Sequence, residues 1–539
     1  MPSAEAFTAL KQALAEATQR GEEAAQRNDA LVGELRVVRT ERDLLLEQLN
    51  KFKRQLFSAK SEVGATNQKD MFFNEAEVLG ATAEPAVEEG ANDKQTVDVP
   101  GHQRKLKRGR KPLDPALPRE VVRHELPPTE RVCPHDGAAL REIGVEATEQ
   151  LDIIPQQVRV IRHERVKYAC PCCDGGLRLA AKPPQVIPKG LFTEGLLAWV
   201  ITSKYMDGLP LYRQAALLGR FGGADISRNT MAASVVRVGQ AVQPIINLLR
   251  DRLLEAPLIY GDETEIQVLK EVGRKAQTKS YMWAQMTEAS GAAGTGPPIR
   301  LFAYTPSRST QASLGLYAGV SHGSVLMTDG YEPYNHVART SGLVHLACWA
   351  HCRRYFNDAL QALPKDKRGP EQVAVQFMDL IGKMYHVESE ARQEGLDVNV
   401  LTTRREDLSL PLLKKIKALL LTNLHAVAPN TLLGKALHYA EGQWPKLEQF
   451  VTNGRYPIDN NACENSIRPF VVGRRNWLFA DTVAGAHASA NLYSLLQTCK
   501  VNGIDGYQYL RRLLIALPKA KTADDFDALL PWSIGLATD

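Results

Sequence analysis

Apolar residues recur at alternating spacings of three and four over the first 57 residues. This 3.5-residue period is typical of a coiled coil, in which one stripe of each helix faces a partner helix. Asn28 and Arg42 place polar groups in the stripe, where such groups can set register and strand number. We predict a leucine-zipper-like coiled coil at residues 1–57 that makes the protein at least a dimer; a lone amphipathic helix packed on its own chain is the alternative. The stripe comprises Phe7, Leu10, Leu14, Ala17, Gly21, Ala24, Asn28, Leu31, Leu35, Val38, Arg42, Leu45, Leu49, Phe52 and Leu56.

Residues 58–127 show no such period and are predicted to be a linker. Residues 75–98 contain seven acidic residues, one lysine and few large apolar residues, a composition typical of disorder. The basic run RKLKRGRK follows at 104–111 and includes Arg108, Arg110 and Lys111. It resembles the short Arg-Gly-Arg segments that bind in the DNA minor groove, where negative potential attracts arginine. A solvated tail is the alternative interpretation.

Two cysteine-containing motifs in residues 128–185 predict a small zinc-ribbon-like domain. CPHDG contains Cys133, His135 and Asp136, and YACPCC contains Cys170 and Cys173. Zinc in structural sites takes four tetrahedral ligands, usually from two close pairs. Cys170 and Cys173 form one good pair, so we expect a structural Zn²⁺ held by three cysteines and either His135 or Asp136. Cysteines that are merely buried are the alternative.

Residues 186–250 have the pattern of three helices. A short glycine turn at Gly222 and Gly223 separates the second helix from the third, and Ser227 is a suitable N-cap for the third. This arrangement predicts a helix-turn-helix whose third helix offers DNA the residues Arg228, Asn229 and Thr230. An ordinary helical hairpin packed in a core is the alternative.

Composition narrows the class of protein. The chain is 44% hydrophobic but contains no run of about 18 apolar residues, so we expect globular domains and no membrane span. The N-terminus lacks a signal-peptide pattern, and the eight cysteines do not resemble a secreted disulfide scaffold, so we expect a cytoplasmic, nucleoid-associated protein. The net charge of +5 is mild, so DNA binding has to come from local basic clusters.

From residue 257 the pattern becomes three apolar strands, a helix, and then strands alternating with helices. This is the order of a ribonuclease-H-like α/β fold, in which the first and fourth strands are neighbours. Asp262 lies in the first strand and Asp329 ends the fourth, so their carboxylates are expected to lie close together. Adjacent carboxylates repel unless a cation lies between them, and Mg²⁺ prefers oxygen ligands.

The segment YPIDNNACENSIRPFVVGRRNW supplies a third acid. Asp459 is placed to cap a helix, and Glu464 lies about one and a half turns inside it. With Asp262 and Asp329, Glu464 would complete a two-metal site of the kind that activates attack on a phosphodiester. The alternative for Glu464 is a simple ion pair with Arg468. Candidate DNA contacts on or near this helix are Asn461, Asn465, Arg468, Arg474 and Arg475.

Four motifs resemble the insertion-sequence-66 family of bacterial DDE transposases, and specifically its transposase C protein. They are YGDET, MTDGY, CWAHCRRYF and IDNNACENSIRPFVVGRRNWLFA, and the resemblance extends over essentially the whole chain. It implies that Asp262, Asp329 and Glu464 are catalytic and bind two Mg²⁺ or Mn²⁺ ions. It also implies that Cys348 and His351 support the site, and it makes Arg353 and Arg354 candidate DNA contacts.

The resemblance implies a multidomain α+β chain. Its expected parts are the coiled coil at 1–57, the linker at 58–127, the zinc domain at 128–185, the helix-turn-helix at 186–250, the catalytic domain at 251–485 with a helical insertion at about 362–455, and a C-terminal helical segment at 486–539. Two departures from the family are visible. CPHDG lacks the second cysteine that the family often has, and Cys463 replaces an alanine before Glu464.

The implied activity is DNA transposition. The expected partners are the terminal inverted repeats of the element, target DNA, further copies of this chain and small accessory transposition proteins. A nuclease on the same fold and a catalytically inactive, transposase-derived DNA-binding regulator are the alternatives. The presence of all three acids argues against the regulator.

Overall fold

A computed structural model provides the structure of the chain. It describes residues 183–535 apart from 223–224 and 289–295, together with 158–169 and 177–181. Short pieces are described at 98–99, 102–103 and 121, and nearer the N-terminus at 18–24, 27–28, 31, 38, 42 and 45. The described residues between 18 and 45 are helical and exposed, as the heptad pattern predicts for a helix, and the self-association that we predict from that pattern stays a prediction.

Two short antiparallel hairpins precede the main body. Strands β1 (Asp98–Val99) and β2 (His102–Gln103) pair within the predicted linker. Strands β3 (Lys167–Ala169) and β4 (Leu177–Leu179) pair on either side of the predicted zinc ligands Cys170 and Cys173. Those two cysteines, like Cys133, His135, Asp136 and the basic residues Arg108, Arg110 and Lys111, lie outside the described residues.

Four helices occupy residues 194–254. They are α1 (Glu194–Tyr205), α2 (Leu211–Gly222), α3 (Arg228–Ala241) and α4 (Gln243–Leu254). The predicted cap of the third helix is confirmed, because the Ser227 side chain accepts a hydrogen bond from the Thr230 amide. Its apolar face, which includes Met231, Val235 and Val238, is buried, so the helix is held by packing as well as by its cap.

A mixed sheet follows, with the strand order β7-β6-β5-β8-β9. Strand β6 is antiparallel to β5 and β7, whereas β8 and β9 run parallel to β5. The first and fourth strands of this sheet are therefore neighbours, as predicted. The strands are β5 (Leu258–Lys270), β6 (Lys279–Met286), β7 (Arg300–Thr305), β8 (Val325–Thr328) and β9 (Val344–Ala347).

Helices connect the strands and cover the sheet. Helix α5 (Thr310–Leu316) precedes β8, α6 (Glu332–Ser341) joins β8 to β9, and α7 (Trp349–Ala362) follows β9. Parallel neighbours need such crossover connections, because a tight turn cannot reverse the chain direction twice. The result is an α+β fold in which the carboxyl ends of β8 and β9 point toward α7.

Residues between α7 and the motif of Glu464 form a helical layer with its own hydrophobic core. This layer contains α8 (Val373–Gln393), α9 (Val398–Arg404), a π-helical segment (Arg405–Ser409), α10 (Leu410–Leu424) and α11 (Leu432–Leu447). Phe377, Ile416 and Leu437 are among its buried residues, and Phe356 of α7 stacks on Phe377 with ring centroids 4.0 Å apart. The layer thus packs on α7, next to the end of the sheet.

The chain then returns to the sheet. Helix α12 (Asn461–Trp477) lies against β5 and β6, and strand β10 (Ala480–Thr482) pairs in parallel with the far end of β5. Helices α13 (Val483–Val501), α14 (Gly506–Ala516) and α15 (Ala523–Asp527) complete the described fold. Helix α13 packs on β7 and also on α3, where Gly239 leaves room for Ala488. Residues 187–254, the sheet and the C-terminal helices consequently share one hydrophobic core. Within the part of the chain that the structure describes, every helix is too short or too polar to span a bilayer.

Candidate active site

Asp262 and Asp329 occupy matching positions on neighbouring parallel strands. The register pairs Tyr260 of β5 with Met327 of β8, and each aspartate stands two residues beyond its member of that pair. Asp329 directly follows the last residue of β8, and its Oδ1 accepts a hydrogen bond from the Tyr331 amide at 2.9 Å. The sheet therefore brings the two predicted acids to the same level.

Helix α12 brings Glu464 to this place. The Asn460 side-chain amide donates to the Gly261 carbonyl at 3.0 Å, which fixes the start of the helix on β5 next to Asp262. Cys463 is buried, and its thiol donates to the Ala284 carbonyl of β6 at 3.7 Å. Glu464 follows Cys463 in the first turn of α12, and its charge acts on Asp262 of β5 together with that of Asp329 at the end of β8.

The predicted helix cap at Asp459 is wrong by one residue. The N-cap of α12 is Asn460, and Asp459 precedes it. Asp459 Oδ1 still accepts a hydrogen bond from the Asn461 amide at 3.1 Å, so it supports the entry to the helix. Burial raises the pKa of Asp459 to about 6, and that hydrogen bond opposes the rise. Asn460 takes the cap position because it is buried and tied to β5, which local sequence does not reveal.

The charges of Asp329 and Glu464 both act on Asp262. The pKa of Asp262 is raised well above its usual value, first by burial and then by the negative charges of Glu263, Glu464 and Asp329. A hydrogen bond from the Glu263 amide to Asp262 Oδ1, at 2.8 Å, only partly offsets this effect. The cluster therefore concentrates negative charge in a poorly hydrated place, an arrangement that a bound cation would stabilise.

His351 and Arg354 of α7 lie next to the carboxylate of Glu464. His351 Nδ1 lies 3.4 Å from Glu464 Oε1, and Arg354 Nη2 lies 3.5 Å from Glu464 Oε2. Burial lowers the pKa of His351, which favours its neutral form even though Glu464 acts in the opposite direction. Among the side chains that the structure describes, His351 Nδ1 and Glu464 Oε1 are buried atoms without a hydrogen-bond partner. Glu464 thus keeps an oxygen atom able to accept a further ligand.

Cys348 completes a group of three potential metal ligands with His351 and Glu464. Their donor atoms all lie within 4.8 Å of one another. The Cys348 sulfur accepts a hydrogen bond from the Asn460 amide at 3.2 Å, and burial raises the pKa of its thiol. Cys348 thereby joins the N-terminus of α7 to the N-terminus of α12. The expected support of the site by Cys348 and His351 agrees with these positions, and their role in catalysis stays a prediction.

Glu263 is a fourth acid that sequence reasoning missed. Its Oε2 accepts a hydrogen bond from the Tyr334 hydroxyl at 2.7 Å, and Arg308 Nη1 lies 3.8 Å from its Oε1. Burial, followed by the charge of Asp329, raises the pKa of Glu263. Alternation along a strand directs Glu263 away from the face of Asp262, so the pattern gave no reason to group them. The one available signal was the position of Glu263 directly beside the predicted catalytic Asp262.

The predicted DNA contacts fall into separate groups. Arg228, Asn229 and Thr230 are exposed at the N-terminus of α3, and Asn465 and Arg475 are exposed on α12. Asn461, Arg468, Arg353 and Arg354 are partly buried near Glu464. Arg474 instead reaches back to β5, where it donates to Thr264 Oγ1 at 3.3 Å. The structure therefore brings the α7 and α12 residues together and leaves the α3 residues as a distinct exposed set.

Comparison with known families places the chain in the class of transposases. Residues 189–488 match the model described as "Transposase IS66 family", and residues 130–174 match the zinc-finger binding domain of transposase IS66. Residues 494–532 match the IS66 C-terminal element, and residues 44–122 match a model described as "Transposase C of IS166 homeodomain". The chain is a transposase.

It belongs to the IS66 family, because that family's transposase model covers more than half of the chain. Relatives from Sinorhizobium fredii carry the names "Uncharacterized protein y4qI" and "Uncharacterized protein y4jD". The first is 33% identical over 438 residues, which is 79% of each chain. The second is 31% identical over 426 residues, covering 77% of this chain and 81% of the relative. The resemblance inferred from the motifs is confirmed.

Proposed function

We propose that this transposase cleaves DNA at the ends of its element and joins those ends to target DNA, with Asp262, Asp329 and Glu464 as its catalytic acids. The observation that carries the proposal is the convergence of three carboxylates from β5, β8 and α12, which is dense enough for two of them to raise the pKa of the third. An arrangement of buried like charges is costly for a fold. Its presence next to the partly buried Arg354 favours a site for metal ions and phosphates.

The strand order supports a ribonuclease-H-like catalytic domain. In the proposal the three antiparallel strands β5, β6 and β7 form one side of the sheet, and the parallel strands β8 and β9 extend it beyond β5. The first acid then stands in the middle of the sheet and the second at the next strand. The helical layer at 373–447 corresponds to the predicted insertion before the third acid.

The residues present fit two Mg²⁺ or Mn²⁺ ions. Asp262, Asp329 and Glu464 are oxygen donors, which these ions prefer, and Glu464 Oε1 has no hydrogen-bond partner among the described residues. When bound, the ions would activate the attacking oxygen and stabilise the leaving oxygen of the phosphodiester. Cys348 and His351 are softer donors. In the proposal they support Glu464 and are not ligands of the catalytic ions.

The protein's own side chains position these acids and the DNA. His351, kept neutral by burial, lies against Glu464 Oε1 without adding a positive charge to the site. Arg354 holds the other oxygen of the same carboxylate and, as a fixed cation, also suits a nearby phosphate. Arg353, Asn461, Asn465, Arg468, Arg474 and Arg475 are the remaining candidate DNA contacts around the site.

Binding of the element ends is assigned to elements outside the acid cluster. The exposed N-terminus of α3, with Arg228, Asn229 and Thr230, is the candidate for the terminal inverted repeats. Arg108, Arg110 and Lys111 are candidates for the minor groove, and the zinc finger at 130–174 is proposed to hold Zn²⁺ through Cys133, Cys170, Cys173 and either His135 or Asp136. Two DNA ends have to be held together, so we propose at least a dimer formed through the N-terminal heptads. Binding should weaken with rising salt, because phosphate contacts release counterions.

Strand cleavage and joining in vitro tests the function. Purified protein is mixed with DNA carrying the element ends, target DNA and Mg²⁺, and both nicked and joined products are measured. Glu464→Gln should abolish both products, because the amide removes a charged ligand while keeping the size of the side chain.

Asp459→Asn provides the matched control on the same segment. It keeps the oxygen that accepts the Asn461 amide, so cleavage and joining should persist. Retained joining in Glu464→Gln would overturn the catalytic assignment. Cleavage without joining by the wild type would favour the nuclease alternative, and DNA binding without cleavage would favour the regulator.

A further inference from the structure

Helix α11 presents three polar side chains to the segment that carries Asp329. Tyr439, Gln443 and Lys446 are separated by four and three residues, so they lie on one face of the helix. The Tyr439 hydroxyl donates to the backbone carbonyl of Asp329 at 2.6 Å. Lys446 Nζ donates to Asn335 Oδ1 in the first part of α6 at 2.8 Å. The helical layer therefore contacts the segment 329–335 both at Asp329 and at Asn335.

Gly330 shows that the segment is shaped against this helix. Its φ of +93° lies in the region that favours glycine, and a Cβ atom there would come within 2.7 Å of Gln443 Oε1. Gln443 Nε2 also lies 3.5 Å from the Gly330 carbonyl oxygen. The backbone conformation therefore favours glycine directly after Asp329, and the end of the Gln443 side chain of α11 occupies the space that a Cβ atom would take.

The other side of α11 is fixed within the core of the helical layer. Leu437, Ala440, Trp444 and Leu447 are buried there. The ring of Tyr439 also stacks on Tyr355 of α7, with centroids 4.5 Å apart. Because α7 begins with the residues that face Glu464, α11 links the surroundings of the second acid to those of the third.

We propose that α11 is a positioning element of the active site and that Tyr439 is the positioning residue for Asp329. The inference rests on the proposed function, because it assigns Tyr439 a role through one of the proposed metal ligands. A hydrogen bond to the backbone of a metal-ligand residue helps to hold its carboxylate in position. Loss of such contacts behind the ligands typically weakens metal binding by about 10- to 100-fold. The helical layer would thus act on the chemistry and not only add surface for DNA.

The test is a Mg²⁺ titration of the Tyr439→Phe variant, with Tyr355→Phe as the matched control, followed both by strand cleavage and, without DNA, by the rise in melting temperature that Mg²⁺ binding produces. The half-maximal Mg²⁺ concentration should shift in the same direction in both readouts. Tyr439→Phe keeps the stacked ring but removes the donor to Asp329, whereas Tyr355→Phe keeps both the ring and that donor. We expect Tyr439→Phe to raise the Mg²⁺ concentration for half-maximal cleavage about tenfold, with most of the rate recovered at saturating Mg²⁺. Tyr355→Phe should titrate like the wild type.

Lys446→Met provides a second variant if Tyr439→Phe does not fold, and it should shift the titration in the same direction by a smaller factor. Equal Mg²⁺ dependence of the wild type and every α11 variant that folds would overturn the inference. Glu464→Gln in the same assay distinguishes a failure of this inference from a failure of the proposed function. An inactive Glu464→Gln with an unshifted Tyr439→Phe would leave the proposed function standing and remove only the role of α11.

Discussion

Two buried groups of charges in this protein are built in opposite ways. In the helical layer, Arg405 is 2% exposed and forms a bidentate pair with Glu388 at 2.8 and 2.7 Å. Its remaining nitrogen, Nη1, donates hydrogen bonds to the backbone carbonyls of Phe450, Asn453 and Tyr456. The charges of Arg405 and Glu388 therefore balance each other. At the sheet, Asp262, Asp329 and Glu464 gather negative charge, and Asp262 responds with a raised pKa.

This difference distinguishes a charge pair that stabilises the fold from a charge cluster that binds a ligand. A balanced buried pair can be explained by the fold alone, since its charges and hydrogen bonds are satisfied. An unbalanced cluster costs stability, so its persistence indicates something that the protein binds. Arg354 and His351 lie against Glu464, whereas the neighbouring charges that act on Asp262 are negative and raise its pKa.

The largest predicted effect concerns activity. Asp262→Asn should lower the rate of strand cleavage by at least about a thousandfold, because the lost metal ligand supplies several kcal/mol of transition-state stabilisation. The same variant should be at least as stable as the wild type in thermal unfolding without divalent ions, since it relieves charge repulsion. A strong loss of stability would instead show that Asp262 stabilises the fold, as Arg405 and Glu388 do.

Arg405→Met tests the balanced pair. Removing one partner leaves Glu388 buried and uncompensated, so the free energy of unfolding should fall by about 3–5 kcal/mol in chemical denaturation. The neighbouring Arg404 provides the control, because its 2.8 Å pair with Glu394 is 27% and 49% exposed. Arg404→Met should leave the free energy of unfolding close to that of the wild type, because exposed ion pairs contribute little to stability. Equal losses in both variants would show that burial does not distinguish these pairs.

Divalent ions should stabilise only the unbalanced cluster. At about ten times its dissociation constant, Mg²⁺ should add about 1.4 kcal/mol to the free energy of unfolding of the wild type. Asp262→Asn should lose this gain, whereas Arg404→Met should retain it. A gain of the same size in Asp262→Asn would place the bound ions elsewhere.

The smallest predicted effect is a pH dependence. Because the folded-state pKa of Asp262 is raised, the folded protein binds a proton that the unfolded chain has already lost above about pH 4. Its contribution to stability is therefore present at low pH and is lost as pH rises through the folded-state pKa. In EDTA, the melting temperature of Asp262→Asn relative to the wild type should increase from pH 5 to pH 8. A constant difference would contradict the raised pKa.

Sequence patterns predicted much of this arrangement. The apolar strands and their order were sufficient to place Asp262 beside Asp329, and α8, α10 and α11 lie within the predicted helical insertion at about 362–455. Glu464 could be assigned because its motif combines an acid with phosphate-binding residue types on one helix. These features depend on local periodicity and on strand adjacency, which sequence encodes directly.

Other features depend on contacts between distant segments. Asn460, and not Asp459, occupies the N-cap position of α12, and its side chain is anchored to Gly261, almost two hundred residues earlier in the chain. Tyr439 reaches Asp329 across 110 residues, and the position of Glu263 near Asp329 depends on how β8 ends. Neither local propensity nor the alternation of a strand contains this information.

Iron-directed cleavage of the polypeptide tests the central claim most directly. Fe²⁺ replaces Mg²⁺ in the wild type, ascorbate and peroxide are added, and the cut positions in the backbone are mapped by mass spectrometry. Cuts close to Asp262, Asp329 and Glu464, suppressed by excess Mg²⁺ and lost in Asp262→Asn, are the predicted result. Cuts that are absent from these three segments, or that persist unchanged in Asp262→Asn, would contradict the assignment of the three acids as one metal site.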